Sequence, residues 1–147
     1  MAETIETILS RKGGGVWSIP PDATVYDALA MMAERDVGAL LVMSGERLLG
    51  IISERDYARK VILQGLSSRE TAVHEIMTEA LVAATPDSTV EECMRSMTHH
   101  RIRHLPVMQS DRVIGVISIG DLVNEIISDQ AETIGHLHTY IASNYPA

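Results

Sequence analysis

Gly50-Ile51-Ile52-Ser53-Glu54-Arg55-Asp56 returns 65 residues further on as Gly115-Val116-Ile117-Ser118-Ile119-Gly120-Asp121. Outward from these two segments the register holds without a gap, carrying Val16–Tyr57 onto Leu81–Leu122. Pro21-Asp22 falls on Pro86-Asp87, Thr24-Val25 on Thr89-Val90, and Met32 on Met97. Val42-Met43 falls on Val107-Met108, and Arg47 on Arg112. A solenoid needs at least three copies, because a terminal repeat cannot cover its own apolar face. Two copies instead suit a pseudo-two-fold pair.

Each copy has the same local grammar. A short apolar stretch (Val16–Ile19; Leu81–Ala84) leads to a Pro-Asp turn. Thr24 or Thr89 then stands where a helix needs a cap. Val25, Leu29 and Met32 share one helical face, as do Val90, Met94 and Met97. The spacing predicts helices from Val25 to about Arg35 and from Val90 to about His99. Two apolar strands follow in each copy, Ala39–Met43 with Leu48–Ser53 and His104–Met108 with Val113–Ser118, joined by short polar turns. A second helix starts near Glu54 and near Ile119. The fold class is therefore α/β: two β-α-β-β-α repeats packed with pseudo-two-fold symmetry, plus a C-terminal helix. A unit of this size buries little surface by itself, and its nearly continuous apolar strands need cover on both faces. Packing the two sheets against each other is the simplest solution.

By chain order, residues 1–15 form an N-terminal segment, 16–66 the first repeat, 67–80 a linker, 81–128 the second repeat and 129–147 a helical tail. The linker carries a predicted short helix around Val73–Met77. The stretch from Leu122 to about Ile141 reads as one long helix, with Ile127, Ile134 and Ile141 seven apart. Its wide apolar stripe needs a cover, from the rest of the chain or from a second subunit.

Composition narrows the function. Of 147 residues, 46% are hydrophobic, almost all aliphatic; Phe is absent and Trp17 is the only tryptophan. A net charge of −8 opposes non-specific binding to nucleic acid or to an anionic membrane, but leaves room for a local basic pocket. Cys93 is the only cysteine, so no internal disulfide forms. Its helical, apolar setting reads as a buried thiol rather than a nucleophile. No run approaches the ~20 apolar residues that cross a bilayer, and the N-terminus lacks a secretory pattern, so a cytoplasmic location is expected.

The repeated segment has chemistry of its own. A strand ends at Ser53 or Ser118 and a helix begins just beyond, so unpaired N–H groups and a partial positive charge face any anion there. The serine hydroxyl can donate to a phosphate or ribose oxygen. Asp56 and Asp121, in the first helical turn, can accept from the two cis hydroxyls of a ribose, as an acidic residue does in dinucleotide folds. Ser followed by Asp at a helix start is equally a plain capping arrangement worth ~1 kcal/mol. Spacing alone does not choose between these readings.

Both segments resemble the G-h-x-[ST]-x-x-D signature of CBS domains, and Ile102-Arg103-His104-Leu105-Pro106-Val107 resembles the strand that precedes it in that family. The resemblance covers about 125 residues. It implies two clefts between the repeats, each taking Ser and Asp from one copy and strand residues from the other. Carried onto this chain, one cleft uses Ser53, Arg55 and Asp56 with Leu81, Val82, Arg103 and His104. The other uses Ser118, Gly120 and Asp121 with Val16, Trp17, Val37, Gly38 and Ala39, with Lys12 in reach of a phosphate. The first is the more cationic, since Val37-Gly38 and Gly120 stand where it has Ile102-Arg103 and Arg55. Arg is a forked partner for phosphate, although Arg55 and Arg103 also read as solvated surface residues.

The expected ligand is an adenine nucleotide, AMP first, with ADP, ATP, NAD(H) or S-adenosylmethionine as further candidates. The resemblance also implies a homodimer and an unknown effector protein. His99, His100 and His104 cluster, with His136 and His138 on the tail, but no set has the spacing and carboxylates of a zinc site. No metal is expected. No nucleophile elbow, HExxH or phosphate loop occurs, and Gly13-Gly14-Gly15 reads as a flexible lead into the first strand. Neither an enzyme nor a catalytic cofactor is expected. The alternative is a dimeric interaction scaffold without nucleotide binding.

Overall fold

The computed structural model describes residues 4–13, 15–79 and 82–130. The elements in chain order are α1 (Ile5–Lys12), β1 (Ser18–Ile19), α2 (Val25–Arg35), β2 (Ala39–Ser44), β3 (Arg47–Ser53) and α3 (Glu54–Tyr57), which runs into a π-helical turn at Ala58–Ile62. There follow α4 (Val73–Ile76), β4 (Thr78–Glu79), α5 (Val90–His100), β5 (His104–Gln109) and β6 (Arg112–Ser118). Residues 119–130 are helical and are called α6. Leu81 and the tail positions Ile134, His136, His138 and Ile141 lie outside the described residues.

The repeat is visible atom by atom. Thr24 caps α2 by accepting from Asp27 N at 3.1 Å, and Thr89 caps α5 by accepting from Glu92 N at 3.1 Å. Both helices end in a left-handed residue, Asp36 (φ 54°) and Arg101 (φ 55°). The hairpins share a register: Ala39 faces Ser53 as His104 faces Ser118, with an irregularity at Val42/Met43 and again at Val107/Met108. The turns are tighter than the sequence suggests, with Ser44 paired to Arg47 and Gln109 to Arg112. At the second turn Ser110 and Asp111 both take positive φ, as a two-residue hairpin requires.

Each repeat has its own core. Ile19, Val25, Met32, Val42, Ile52 and Val61 form one; Val90, Cys93, Met97, Leu105, Ile117 and Leu122 form the other. Leu41 and Pro106 are buried on the opposite strand faces from these cores.

Two helices that chain order places outside the repeats complete these cores, and they do so crosswise. Val73 and Ile76 of α4 enter the first core, where Val73 N donates to Ala23 O (2.8 Å) and His74 N to Pro21 O (3.0 Å). Ile5 and Ile8 of α1 enter the second, where Ile5 N donates to Ser88 O and Glu6 N to Pro86 O, both at 2.9 Å. Ala23 and Pro21 are the repeat counterparts of Ser88 and Pro86, so α1 is to the second repeat what α4 is to the first. Burial of a side chain such as Ile5 contributes about 1.5–3 kcal/mol. The expected short linker helix is present as α4.

Candidate functional site

At the end of β3 the chain turns into α3 through a reciprocal cap. Asp56 N donates to Ser53 Oγ at 3.1 Å, and Ser53 N donates to Asp56 Oδ2 at 2.9 Å. Ser53 Oγ also donates to Asp56 Oδ2 (3.0 Å), so its proton points inward. Asp56 Oδ1 accepts from Thr78 Oγ1 (3.1 Å) and pairs with Lys60 (3.0 Å), whose ammonium also donates to Ile76 O (2.9 Å). Three hydrogen bonds and one ion pair thus engage both oxygens of this carboxylate, and the reciprocal Ser53–Asp56 cap is present.

The same serine and aspartate open onto a cavity of about 630 Å³ between the repeats. From the first repeat it takes Ser53, Arg55 and Asp56, and from the second Val82, Arg103 and His104. These are the residues expected to share one cleft, apart from Leu81, which lies outside the described residues. Among the described residues Arg55, Arg59, Arg101 and Arg103 form no ion pair, and all are exposed at its rim. With Lys60 they make five cations against three carboxylates, Glu54, Asp56 and Glu79. In a chain of net charge −8 this is a local inversion of sign, and it suits an anion.

Gly38, expected in the second cleft, also lines this cavity. Its carbonyl accepts from Glu54 N (3.1 Å), which fixes position 38 beside the start of α3 of its own repeat. A Cβ there would lie 4.0 Å from both Glu54 Oε1 and His104 Nε2. Arg103 O accepts from Ile119 N (2.8 Å) in the same way, so the backbone of 103 serves one helix start while its side chain lines the other cleft.

The second serine–aspartate pair is built differently. Asp121 N donates to Ser118 Oγ (3.1 Å) and Ser118 N to Asp121 Oδ2 (2.9 Å). Lys12, arriving at the end of α1, donates to the same oxygen and to Val116 O, both at 2.8 Å. Burial pushes the Asp121 carboxyl up, and the Lys12 and Ser118 hydrogen bonds outweigh it, leaving its pKa below the usual value. Asp121 Oδ1 has no hydrogen bond among the described residues. Arg11 pairs with Glu125 at 2.6 Å one turn further along α6, so two cations hold the end of α1 to that helix. Trp17 is 38% exposed with the Arg35 guanidinium 4.1 Å above its ring. Val37 packs into the first core, and Gly120 has only Ser118 Oγ nearby.

The sequence reading missed Arg59, Lys60, Thr78, Glu79 and Arg101. Arg59 and Lys60 come from the π-helical turn, which no residue pattern announces. Thr78 and Glu79 come from β4, which pairs with β3 at Ile51 and Gly50. Arg101 could have been found, since the residue ending α5 is two before Arg103. Burial pushes the Cys93 thiol up to about 11, in accord with an inert role. No helix among the described residues is long and apolar enough to cross a membrane.

The CBS domain profile matches residues 7–62 and 73–128, so its two copies take in the hairpins, the capped serines and the helices that flank the cavity. The chain belongs to the CBS domain family. Such domain pairs are generally regulatory and often bind nucleotides, and proteins in which they stand alone are typically regulatory or signalling modules. The chain is 44% identical over 151 residues to the mitochondrial CBS domain-containing protein CBSX3 of Arabidopsis thaliana, covering 97% of this chain and 73% of the relative. It is 32% identical over 117 residues to CBS domain-containing protein YhcV of Bacillus subtilis, covering 79% and 83%. Among solved structures, a CBS-domain protein from Burkholderia ambifaria superposes with a TM-score of 0.83 at 47% identity, covering 87% of this chain and 96% of that one. A hexameric CBS-CP12 protein from bloom-forming cyanobacteria superposes at 0.76 and 27% identity, covering 99% and 91%.

Proposed function

We propose that this CBS pair is a regulatory module that binds an adenine nucleotide in the cleft between Ser53–Arg55–Asp56 and Arg103–His104, and signals its occupancy to a partner protein. The observation that carries this reading is the set of unpaired arginines around a cavity large enough for a nucleotide, in a chain of opposite net charge. Arg55 and Arg103, one from each repeat, suit a phosphate between them. Binding there biases the relative position of the repeats by the difference in affinity for the two arrangements. AMP, ADP, ATP, NAD(H) and S-adenosylmethionine are the candidate ligands. The Lys12–Asp121 pair supports a second, weaker site, with Asp121 Oδ1 facing a ribose and Lys12 a phosphate. A homodimer is supported by Ile62, Leu63, Leu66 and Ile127, all exposed on or beside the closing helices.

A second reading, a dimeric scaffold without nucleotide, is favoured by one observation: both oxygens of Asp56 are already engaged by its own neighbours. Thermal unfolding with each candidate ligand separates the two. A ligand at 100 times its Kd stabilises the fold by about 2.7 kcal/mol. A shift with one ligand, lost in R103A and D56A, supports the sensor. No shift with any of them, in a folded dimer, supports the scaffold.

A further inference from the structure

At His104 the second repeat places an ionisable side chain where the first has none. Its counterpart in the first repeat is Ala39. It begins β5 and lines the first cleft, with Nε2 and Glu54 Oε1 each 4.0 Å from the point where a Cβ on Gly38 would stand. Charges reach it from every element around it. Asp56 and Glu54 come from α3, Lys12 from α1, Asp121 from α6, and Arg103 from its own strand lead. His100 and Arg101 line the same cavity. Burial comes first in depressing its basicity, and Lys12 and Arg103 add to it against Asp121 and Asp56. The ring is therefore neutral near neutral pH while it faces a cleft shaped for an anion.

We propose that His104 is the proton acceptor of this cleft: a phosphate group binding beside it is accompanied by uptake of one proton from solvent onto the imidazole. The added negative charge offsets Lys12 and Arg103, and the protonated ring gains a second N–H donor toward the anion. No other bond is made or broken. The consequence is pH-dependent affinity, tightening as pH falls. The inference rests on the first cleft being a phosphate site, but not on adenine.

Inorganic pyrophosphate is the probe. The titration of the His104 ring protons is followed by NMR, assigned with H104Q, in the presence and absence of pyrophosphate. An opposite charge within a few ångströms raises the midpoint by at least about 1 unit. Calorimetry in buffers of different ionisation heat then gives proton uptake, and the wild-type minus H104Q difference removes the pyrophosphate's own protons. H104Q is expected to take up about one proton fewer than wild type on binding pyrophosphate, and H74Q, altered on α4 away from the cavity, to match wild type. An unmoved His104 midpoint, absence of pyrophosphate binding, or equal uptake in wild type and H104Q overturns the proposal. A moved midpoint with no thermal response to any adenine nucleotide would sink the nucleotide reading and keep this one.

Discussion

Ser53 and Ser118 occupy the same place in the two repeats, yet they serve different surroundings. Both accept from an aspartate N–H at 3.1 Å, so either Ser→Ala variant is expected to lose about 1 kcal/mol of stability in urea unfolding. His104 adds a pH term of known sign. Its pKa is held below 6.5 in the folded chain, so between that lower value and 6.5 the unfolded chain binds more protons. Stability is lost as pH falls from 6.5 through the folded midpoint. Urea midpoints measured at about pH 7 and pH 5 should fall more in wild type than in H104Q, and parallel falls would remove His104 from the acid response. Asp121 acts in a lower window. Its depressed pKa gives stability present above the usual 3.8 and lost as pH falls through the folded value. At this scale the sequence was legible for Ser53, Asp56, Ser118 and Asp121. It did not show that Lys60 and Thr78 engage the second oxygen of one aspartate while Lys12 takes only one oxygen of the other.

Packing between elements explains the two glycines that open the signature. A Cβ on Gly50 would lie 2.5 Å from the backbone oxygen of Thr78, where β4 crosses β3. On Gly115 it would lie 2.6 Å from Leu9 Cδ2, the flexible end of a side chain on α1. Overpacking costs about 1–3 kcal/mol, and the backbone clash belongs at the upper end. G50A is therefore expected to destabilise more than G115A. L9A should recover part of the G115A loss but none of the G50A loss, as a double-mutant cycle would read. The strands and the α2 and α5 helices were legible because period and caps agree along one segment. β4 was not, because two residues carry no period of their own and pair only once α4 has set their direction.

Crosswise completion of the cores makes the whole molecule interdependent. Ile5 is fully buried in the second core although it precedes the first repeat. I5A should cost about 2–5 kcal/mol, felt first in the second repeat. Cys93, the only cysteine, reports this directly: it is buried, with a thiol pKa of about 11, so it resists a thiol reagent until the second core opens. Faster Cys93 labelling in I5A than in V73A, whose cavity lies in the first core, is the expected outcome. Equal labelling would mean that the two cores open as one unit.

The local order of the chain follows from its residues alone: the 65-residue register, the capped helices, the paired strands and the serine–aspartate turns. These features depend on neighbours within a few positions, and period and cap chemistry write them into the sequence. Which helix closes which core and which lysine reaches which aspartate were decided by tertiary structure. Those contacts join α1 to the second repeat and α4 to the first. They follow from two apolar faces each needing a cover that its own repeat does not supply.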